Sequence, residues 1–351
     1  MSSPVRRRRI AIARALAALV LAAAVLSAAG LMLGARAVPA GDVLRALGAG
    51  VLNPGALSSE AQAASAPSAE TAVILGSRLP RTLLALLAGA AMGLGGALVQ
   101  SVTRNPLADT GALGINAGAA FSAVVAISLL GVTSATGYVW FALAGALAAG
   151  LIVVLAGGGT RGADPVPLVL AGVALSAVLS GIGEGLALVD PQSFDRLRAW
   201  MTGSLSAADP SAVPVAAAGL AAGSALTLLA ARHLDALSLG GDVAVSLGAP
   251  VRRTRLLCIA AVTVLAGSAT AAVGVLVFLG LMAPHAARRI AGPSQRGVLL
   301  LSTAIGPCIL LAADIAGRCL LPGELPAGVV VAFIGAPVLV GLARRRKAAA
   351  L

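Results

Sequence analysis

Ten apolar segments follow one another along this chain, separated by short loops rich in Gly, Pro, Asp and Arg. A helix of about 20 apolar residues crosses the hydrocarbon core of a bilayer. The pattern therefore predicts an all-α polytopic membrane protein of about ten transmembrane helices, with residues 1–351 forming a single transmembrane domain. The segments run from Ala15 to Leu33 and near residues 83–102, 112–131, 138–157, 166–189, 212–230, 255–273, 277–290, 297–318 and 327–343.

Composition excludes several other classes of protein. Of the 351 residues, 59% are apolar and 11% charged, whereas soluble domains carry about a quarter charged residues. A net charge of +12 is common in nucleic-acid-binding proteins, but here the arginines lie in short clusters between apolar segments and the one lysine is Lys347. We interpret these clusters as topology signals and expect no nucleic-acid partner.

The sequence lacks the residues for nucleotide hydrolysis or a metal centre. A phosphate-binding loop of the GxxxxGK[ST] type needs Ser or Thr after its lysine, and Lys347 is followed by Ala348. His233 and His285 have no second ligand three or four residues away. We predict a chain without catalytic residues, without a metal site and without a bound cofactor.

The first apolar segment is similar to a signal peptide, because Arg6 to Arg9 precede it. It is longer than the 7–15 apolar residues of a typical signal, so we interpret it as a retained helix. When the segments alternate from a cytoplasmic N-terminus, 18 of the 25 Lys and Arg residues lie inside, as the positive-inside rule requires. This predicts cytoplasmic tails at residues 1–14 and 344–351.

Two stretches depart from the regular pattern. Residues 34–77 are long for a connection and contain a polar, Ser- and Ala-rich stretch from Ser58 to Ser68, which predicts a flexible outer loop. Leu256 to Ala283 is too long for one span and too short for two, and it contains Gly274 and Gly280 before Pro284. We predict a full helix, a break and a short helix there, since broken helices occur at membrane depth where protein or water covers the backbone.

Two carboxylates, Glu184 and Asp314, lie within apolar segments, where ionisable residues are costly and indicate function. Asp314 has Arg318 one turn later, so a structural ion pair is the alternative interpretation. Glu184 has no evident local partner. It is predicted to line a polar cavity, to be protonated, or to cap a break at its flanking glycines.

Three arginines lie on the predicted outer side, against the charge bias: Arg78, Arg81 and Arg318. Arg78 and Arg81 flank Pro80, which favours the start of a helix. Two interpretations stay open for this pair. The side chains extend to the membrane interface, or they bind carboxylates of an acidic partner that docks from outside.

The cytoplasmic segment at residues 232–255 contains a short, mildly amphipathic stretch bounded by glycines. Asp242 suits the start of a helix and Gly248 its end. A short helix with an apolar face binds in the groove of a partner, or it lies on the membrane surface.

Seven motifs together resemble those of the FecCD family, the permease subunits of binding-protein-dependent ABC importers for ferric siderophores, haem and vitamin B12. No single motif is specific, but all seven occur in order across the chain. They are RLPR at 78–81, GAAMGLGGALVQ at 89–100, RNPLADTGALG at 104–114, LSLGGDVAVSLG at 237–248, FLGLMAPHAAR at 278–288, ADIAGR at 313–318 and ELPAGVVVAFIGAP at 324–337.

The resemblance implies a BtuC-like permease fold in the plasma membrane. It implies a homo- or heterodimer with a second permease subunit around a central path, two ATP-binding cassette subunits that bind ATP and Mg²⁺ on the inside, and a soluble binding protein outside. The cargo it implies is a ferric siderophore, with cobalamin and haem as alternatives. A rival of another class is a proton-coupled secondary transporter that uses Glu184 or Asp314 as a relay.

The resemblance also implies roles for individual residues. It assigns docking of the binding protein to Arg78, Arg81 and Arg318, and the gate to Asn105, Leu107, Pro165 and Val166. From the residues themselves we add Glu184 to the path, and we expect structural roles for Asp314, Pro284 and His285. Coupling to the ATPase is assigned to Asp235, Leu237, Leu239, Gly240, Asp242, Ala244, Leu247 and Gly248.

Overall fold

A computed structural model describes residues 4–34, 38–52, 69–132, 134–157, 166–189, 198, 200–206, 209–238, 240–320 and 323–349. Helices account for nearly all of this described part. They are α1 (Pro4–Met32), α2 (Ala40–Leu52), α3 (Ala69–Val73), a π-helical turn (Ile74–Arg78), α4 (Leu79–Thr103), a 3₁₀ turn (Thr110–Leu113), α5 (Ile115–Ser128), α6 (Ala135–Ala156), α7 (Val166–Val189), α8 (Ala212–Ser238), α9 (Gly241–Ser246), α10 (Val251–Val273), α11 (Leu279–Ala291), α12 (Gln295–Leu320) and α13 (Ala327–Ala349).

The predicted all-α membrane fold is confirmed, and each of the ten apolar segments is helical. Within the described ranges, seven helices are long and apolar enough to cross a bilayer. The other three predicted spans are shorter helices: α5, α11 and the apolar part of α13. We call the end of the bundle that carries Met32, Arg78 and Arg318 the outer end, and the end that carries Arg104 and Gln295 the inner end, following the predicted topology.

Helix α4 is the centre of the bundle. It packs against α8, α10, α11 and α12, and nearly every residue from Ala88 to Thr103 is buried. Its sequence makes this possible because this part of the helix is composed mainly of Gly, Ala and Leu and contains no charged side chain. A helix that is apolar all round is expected to be enclosed by other helices.

Glycines of α4 bring its backbone into direct contact with neighbouring helices. A Cβ atom at Gly96 would collide with the carbonyl oxygen of Gly280 in α11, and one at Gly93 would collide with that of Ser302 in α12. Small residues at helix contacts allow such close approach in membranes. These contacts fix the depth at which the short helix α11 lies against the centre.

The predicted break after α10 is present. Helix α10 ends at Val273, and Gly274 has φ +81°, a conformation that residues with a Cβ rarely adopt. Helix α11 begins after Phe278, which has φ +65°. Pro284 is buried inside α11, and backbone atoms of Trp200 lie close to Gly274, so protein covers the exposed backbone of the break.

The prediction of a flexible outer loop at 34–77 is wrong for its described residues. Helix α2 spans Ala40–Leu52, and the chain is helical again from Ala69. Val43 and Ala46 of α2 form a small apolar cluster with Leu31 and Ile74. Apolar residues spaced three or four apart in α2 explain this packing, and the polar, Ser- and Ala-rich stretch from Ser58 to Ser68 concealed it. Ser58 to Ser68 lie outside the described residues.

Helix α1 is an integrated part of the bundle. Leu16, Leu19 and Leu26 pack against the main core, and the Cys308 thiol of α12 donates to the carbonyl oxygen of Leu19. These contacts attach α1 to the bundle, and the interpretation of the first apolar segment as a retained helix stays a prediction.

The close contact at Gly96 makes a testable prediction. Gly96→Ala is expected to destabilise the protein by about 2 kcal/mol or more, because the added methyl group cannot fit without moving two backbones. Thermal unfolding in detergent, followed by size-exclusion chromatography, measures the effect.

Gly341→Ala in α13 is the matched control, since no atom lies within 4 Å of a Cβ at that position. It should leave the unfolding midpoint unchanged or raise it, because Ala favours a helix over Gly by about 1 kcal/mol. Equal midpoints for the two variants would contradict the proposed contact.

Candidate functional site

Five charged side chains meet at the outer end and form what we call the outer cluster: Arg78, Arg81, Asp314, Arg318 and Glu324. Arg81 Nε donates to Asp314 Oδ1 over 2.9 Å, and Arg81 Nη1 donates to Glu324 Oε2 over 2.9 Å. Arg318 donates to the other oxygen of Asp314 through Nε at 3.0 Å and also through Nη2. Asp314 is therefore held between two guanidinium groups, with 1% of its side chain exposed.

Two arginines of the outer cluster cap the C-terminal end of α1. Arg78 Nη1 donates to the carbonyl oxygens of Leu31 and Met32, and Arg318 Nη1 donates to those of Gly30 and Leu33. The last carbonyls of a helix have no partner within it, and the helix dipole places partial negative charge there. The cluster therefore joins α1, α4 and α12 at one point.

The outer cluster holds three positive and two negative side chains, so it carries one excess positive charge. Its three arginines are each less than 9% exposed, whereas 37% of the Glu324 side chain is exposed. Asp314 and Arg318 form the ion pair, one helical turn apart, that the sequence offered as the alternative to a functional role for Asp314. Docking by Arg78, Arg81 and Arg318 stays a prediction, and in the isolated chain all three have partners inside the protein.

At the inner end, the predicted gate residues lie in a tight loop after α4. Arg104 ends α4 with φ +50°, and the Asn105 side chain accepts from the amide of Leu107 over 3.0 Å. Val166 begins α7 and is exposed. Pro165 lies outside the described residues. The loop is thus held by its own hydrogen bonds, and its gating role stays a prediction.

Glu184 lies in α7, five residues before the end of that helix at Val189. Its side chain is exposed in the single chain. Gly181 and Gly185, on the same face of α7, are open as well, because a Cβ added to either glycine would have no atom within 4 Å. Among the described residues, nothing packs on this face of α7, and it carries a carboxylate at membrane depth.

The predicted coupling residues divide into buried and exposed groups. Leu237 and Ala244 are buried, and Gly240, with φ +120°, precedes α9. Leu247 is exposed, as are Val243 and Val245, which were not among the predicted coupling residues. Helix α9 thus rests on the protein through Ala244 and presents apolar side chains outward.

The remaining coupling residues frame α9. Gly248 has φ +73°, and its amide donates to the carbonyl oxygen of Val245. Gly248 thus ends the turn after α9, as expected. Asp242 occupies the second position of α9. Leu239 lies outside the described residues.

Asp235 links the coupling segment to the start of α12. Its Oδ1 accepts from the backbone amide of Gln295 over 3.0 Å, and the Gln295 side chain accepts from the Ser101 hydroxyl of α4 over 3.0 Å. A carboxylate at the first amides of a helix is favourable. Beside this network lies a cavity of about 240 Å³, lined by Gln100, Ser101, Arg104, Pro106, Arg288 and Gln295.

The broken helix meets the gate loop at Asp109, which was not among the predicted site residues. A Cβ at Gly280 would lie 2.7 Å from Asp109 Oδ1, and the backbone amides of Thr110, Gly111 and Phe278 face the carboxylate. The carboxylate thus fills the space beside α11 left by a glycine. His285, one turn further along α11, is half-buried. Its structural role and that of Pro284 remain predictions.

Two further residues of these sites have only weak signals in the sequence. Glu324 lies within the ELPAG motif. The sequence indicates it only as an acidic residue on the same predicted outer side as Arg78, Arg81 and Arg318. Gln295 has no signal beyond its place at the start of a helix. Across the described residues, no three His, Cys, Asp or Glu side chains are placed to hold a metal ion.

Comparisons with known proteins place these features in context. The FecCD transport family profile matches residues 10–345. The ferric enterobactin transport system permease protein FepD of Escherichia coli strain K12 is 46% identical over 340 residues, covering 96% of this chain and 97% of FepD.

Two other permease proteins are also similar to this chain over most of its length. The Fe(3+) dicitrate permease protein FecC of the same E. coli strain is 38% identical, over 80% of this chain and 85% of FecC. The iron(3+)-hydroxamate permease protein FhuG of Bacillus subtilis strain 168 is 37% identical, over 76% and 81%. A solved inward-facing metal-chelate type ABC transporter has the same fold, with a TM-score of 0.78, 24% identity, and coverage of 94% of this chain and 98% of that one.

The outer cluster gives a second prediction. Asp314→Asn is expected to lower the stability of the protein by about 3–5 kcal/mol, because it removes the counter-charge of the buried Arg318 and leaves Arg81 with the half-exposed Glu324 alone. Thermal unfolding in detergent measures the loss.

Asp42→Asn provides the matched control. Asp42 pairs with Arg45, whose side chain is 82% exposed, and exposed pairs contribute at most about 1 kcal/mol. If both variants unfold at the same temperature, the cluster does not hold the outer end together.

Proposed function

This chain belongs to the FecCD transport family, and we propose that it is the membrane-spanning subunit of an ABC importer that carries a ferric siderophore across the plasma membrane. The observation that carries this proposal is the 46% identity to FepD over almost the whole of both chains. ATP and Mg²⁺ would be bound by separate ATPase subunits, and a soluble protein would deliver the cargo from outside.

The exposed apolar side chains of α9 support an ATPase partner at the inner end. Val243, Val245 and Leu247 are each between 46% and 64% exposed. Three exposed apolar residues in and just after a six-residue helix gain free energy when a partner groove removes them from water. The positive-inside bias favours a cytoplasmic position for this helix and for both termini, where ATP is available.

The α9 segment is also connected to the centre of the bundle. Gly240 lies beside Arg104, where a Cβ would be 3.6 Å from the guanidinium group, and Asp235 and Gln295 connect α8 and α12 to Ser101 of α4. We infer that a shift of α9 reaches α4 through these contacts. Movement of the gate loop at Asn105 and Leu107 would follow, because that loop continues from α4.

The open face of α7 supports a path between two copies. An ionised carboxylate facing lipid is costly, so Glu184 is better accommodated in a water-filled path. A second permease subunit, identical or related, would enclose the path opposite α7. Glu184 would then line the path, and the gate loop would close its inner end.

The structure weakens the rival function of proton-coupled transport through Asp314. That carboxylate is enclosed by Arg81 and Arg318 and is 1% exposed, so it lacks the contact with water that a proton relay needs. Glu184 is the remaining candidate for such a relay. Glu184→Gln should leave ATP-driven uptake largely intact under our proposal and should abolish uptake under the rival one.

Reconstitution tests the proposal directly. Liposomes that contain this chain, its ATPase subunits and internal ATP are given the binding protein and ⁵⁵Fe-labelled ferric enterobactin or ferric hydroxamate. Accumulation that needs ATP and both partners, and that persists with a protonophore, supports the importer. Parallel liposomes with labelled cobalamin or haem test the alternative cargoes, and uptake by this chain alone would refute the proposal.

A variant of α9 tests the coupling role. Val245→Asp is expected to reduce co-purification of the ATPase subunits at least about tenfold, because a charge replaces an apolar group in the interface. Val245→Ile keeps the apolar character and should behave like the wild type. Retention of the ATPase by the Asp variant would argue against α9 as its docking element.

A further inference from the structure

We propose that Glu324 occupies, within this chain, the position on Arg81 that a carboxylate of the extracytoplasmic binding protein takes on docking. This inference rests on the proposed function and adds a residue that sets the affinity of the docking site. Its starting point is the pair formed by Arg81 Nη1 and Glu324 Oε2 at 2.9 Å.

The three arginines of the outer cluster differ in how firmly their partners are held. Arg78 and Arg318 donate to carbonyl oxygens at the end of α1, and these carbonyls belong to the helix backbone. Arg81 has one partner that is almost fully buried, Asp314, and one that is 37% exposed, Glu324. Glu324 is therefore the partner in the cluster that an incoming group can reach and replace.

The backbone at Glu324 does not need to change when the side chain leaves Arg81. Its φ of +45° is a left-handed conformation, and rotation of the side chain about its χ angles leaves this φ as it is. The amide of the next residue, Leu325, donates to the carbonyl oxygen of Gly317 over 2.9 Å, so the following turn stays anchored to α12. Rotation of the Glu324 side chain away from Arg81 thus leaves the turn in place.

The charge of the cluster selects the chemistry of the incoming group. Three guanidinium groups face two carboxylates, and loss of Glu324 from Arg81 leaves two excess positive charges around the exposed edge of the site. A partner carboxylate returns the cluster to one excess positive charge. It can accept hydrogen bonds from the guanidinium group of Arg81 in place of Glu324. The fitting partner is an acidic side chain of a protein that approaches the outer face.

The exchange predicts that removing the competitor strengthens docking. The test uses the full complex of this chain with its ATPase subunits in nanodiscs, without nucleotide, and measures the Kd of its binding protein by biolayer interferometry. Glu324→Gln should lower the Kd about fivefold, in line with an exposed ion pair, and Glu324→Asp should remain close to the wild type.

Asp42→Asn is the matched control, because it removes one negative charge from an ion pair on the same outer side. It accounts for any general effect of charge on the approach of the partner, and it should change the Kd less than twofold. Elution volume and unfolding midpoint establish that each variant is folded.

A separate arm distinguishes this inference from the proposed function. Arg81→Glu should abolish binding of the binding protein. Raising the salt concentration should weaken binding to the wild-type complex. The salt series uses the wild-type protein, so it is informative even if Arg81→Glu does not fold. If these two results are obtained while Glu324→Gln binds no more tightly than Asp42→Asn, the exchange is refuted and the docking role stands. If Arg81→Glu, Glu324→Gln and salt all leave the Kd unchanged, both the exchange and the docking role of Arg81 are refuted.

Discussion

The outer half of the structure depends on the ion pairs that the buried carboxylate of Asp314 makes with two arginines. The carboxylate binds Arg81 of α4 and Arg318 of its own helix, and Arg318 in turn holds the end of α1. Three helices therefore meet at one set of charges, in a bundle whose other contacts between helices are mainly apolar. In an apolar environment such a network is stable only when every member has a partner, and the last carbonyls of α1 are partners of two of its arginines.

The inner half is held differently, by close contact between backbones. Gly93 and Gly96 of α4 contact carbonyl oxygens of α12 and α11, and the network from Asp235 to Ser101 connects the coupling segment to the same helix. Helix α4 carries Arg81 near its outer end and continues into the gate loop at its inner end. Under the proposed function, a movement imposed at one end would reach the other through a helix that is buried almost throughout.

Much of this architecture was predictable from the sequence, for identifiable physical reasons. Apolar segments of about 20 residues report helices directly, and the glycines before Pro284 indicated the break after α10. Helix α2 was missed because a polar, Ser- and Ala-rich stretch follows it and obscures its apolar face.

The partners of the site residues were harder to predict. The arginines at 78, 81 and 318 were recognised as unusual, but the sequence does not show that the carbonyls of α1 and the carboxylate of Glu324 are their partners. Those contacts join residues as many as 288 positions apart, and only the packing of α1 against α4 and α12 brings them together. Glu184 was singled out by its residue type and its place within an apolar segment alone, and its role stays a prediction.

An electron cryomicroscopy structure of the assembled complex, determined with and without the binding protein, tests the account most directly. It should show a carboxylate of the binding protein on Arg81 with Glu324 turned away, α9 seated in an ATPase groove, and Glu184 facing the space between two permease subunits. A docked complex in which Glu324 still pairs with Arg81 and the binding protein contacts other residues would contradict it.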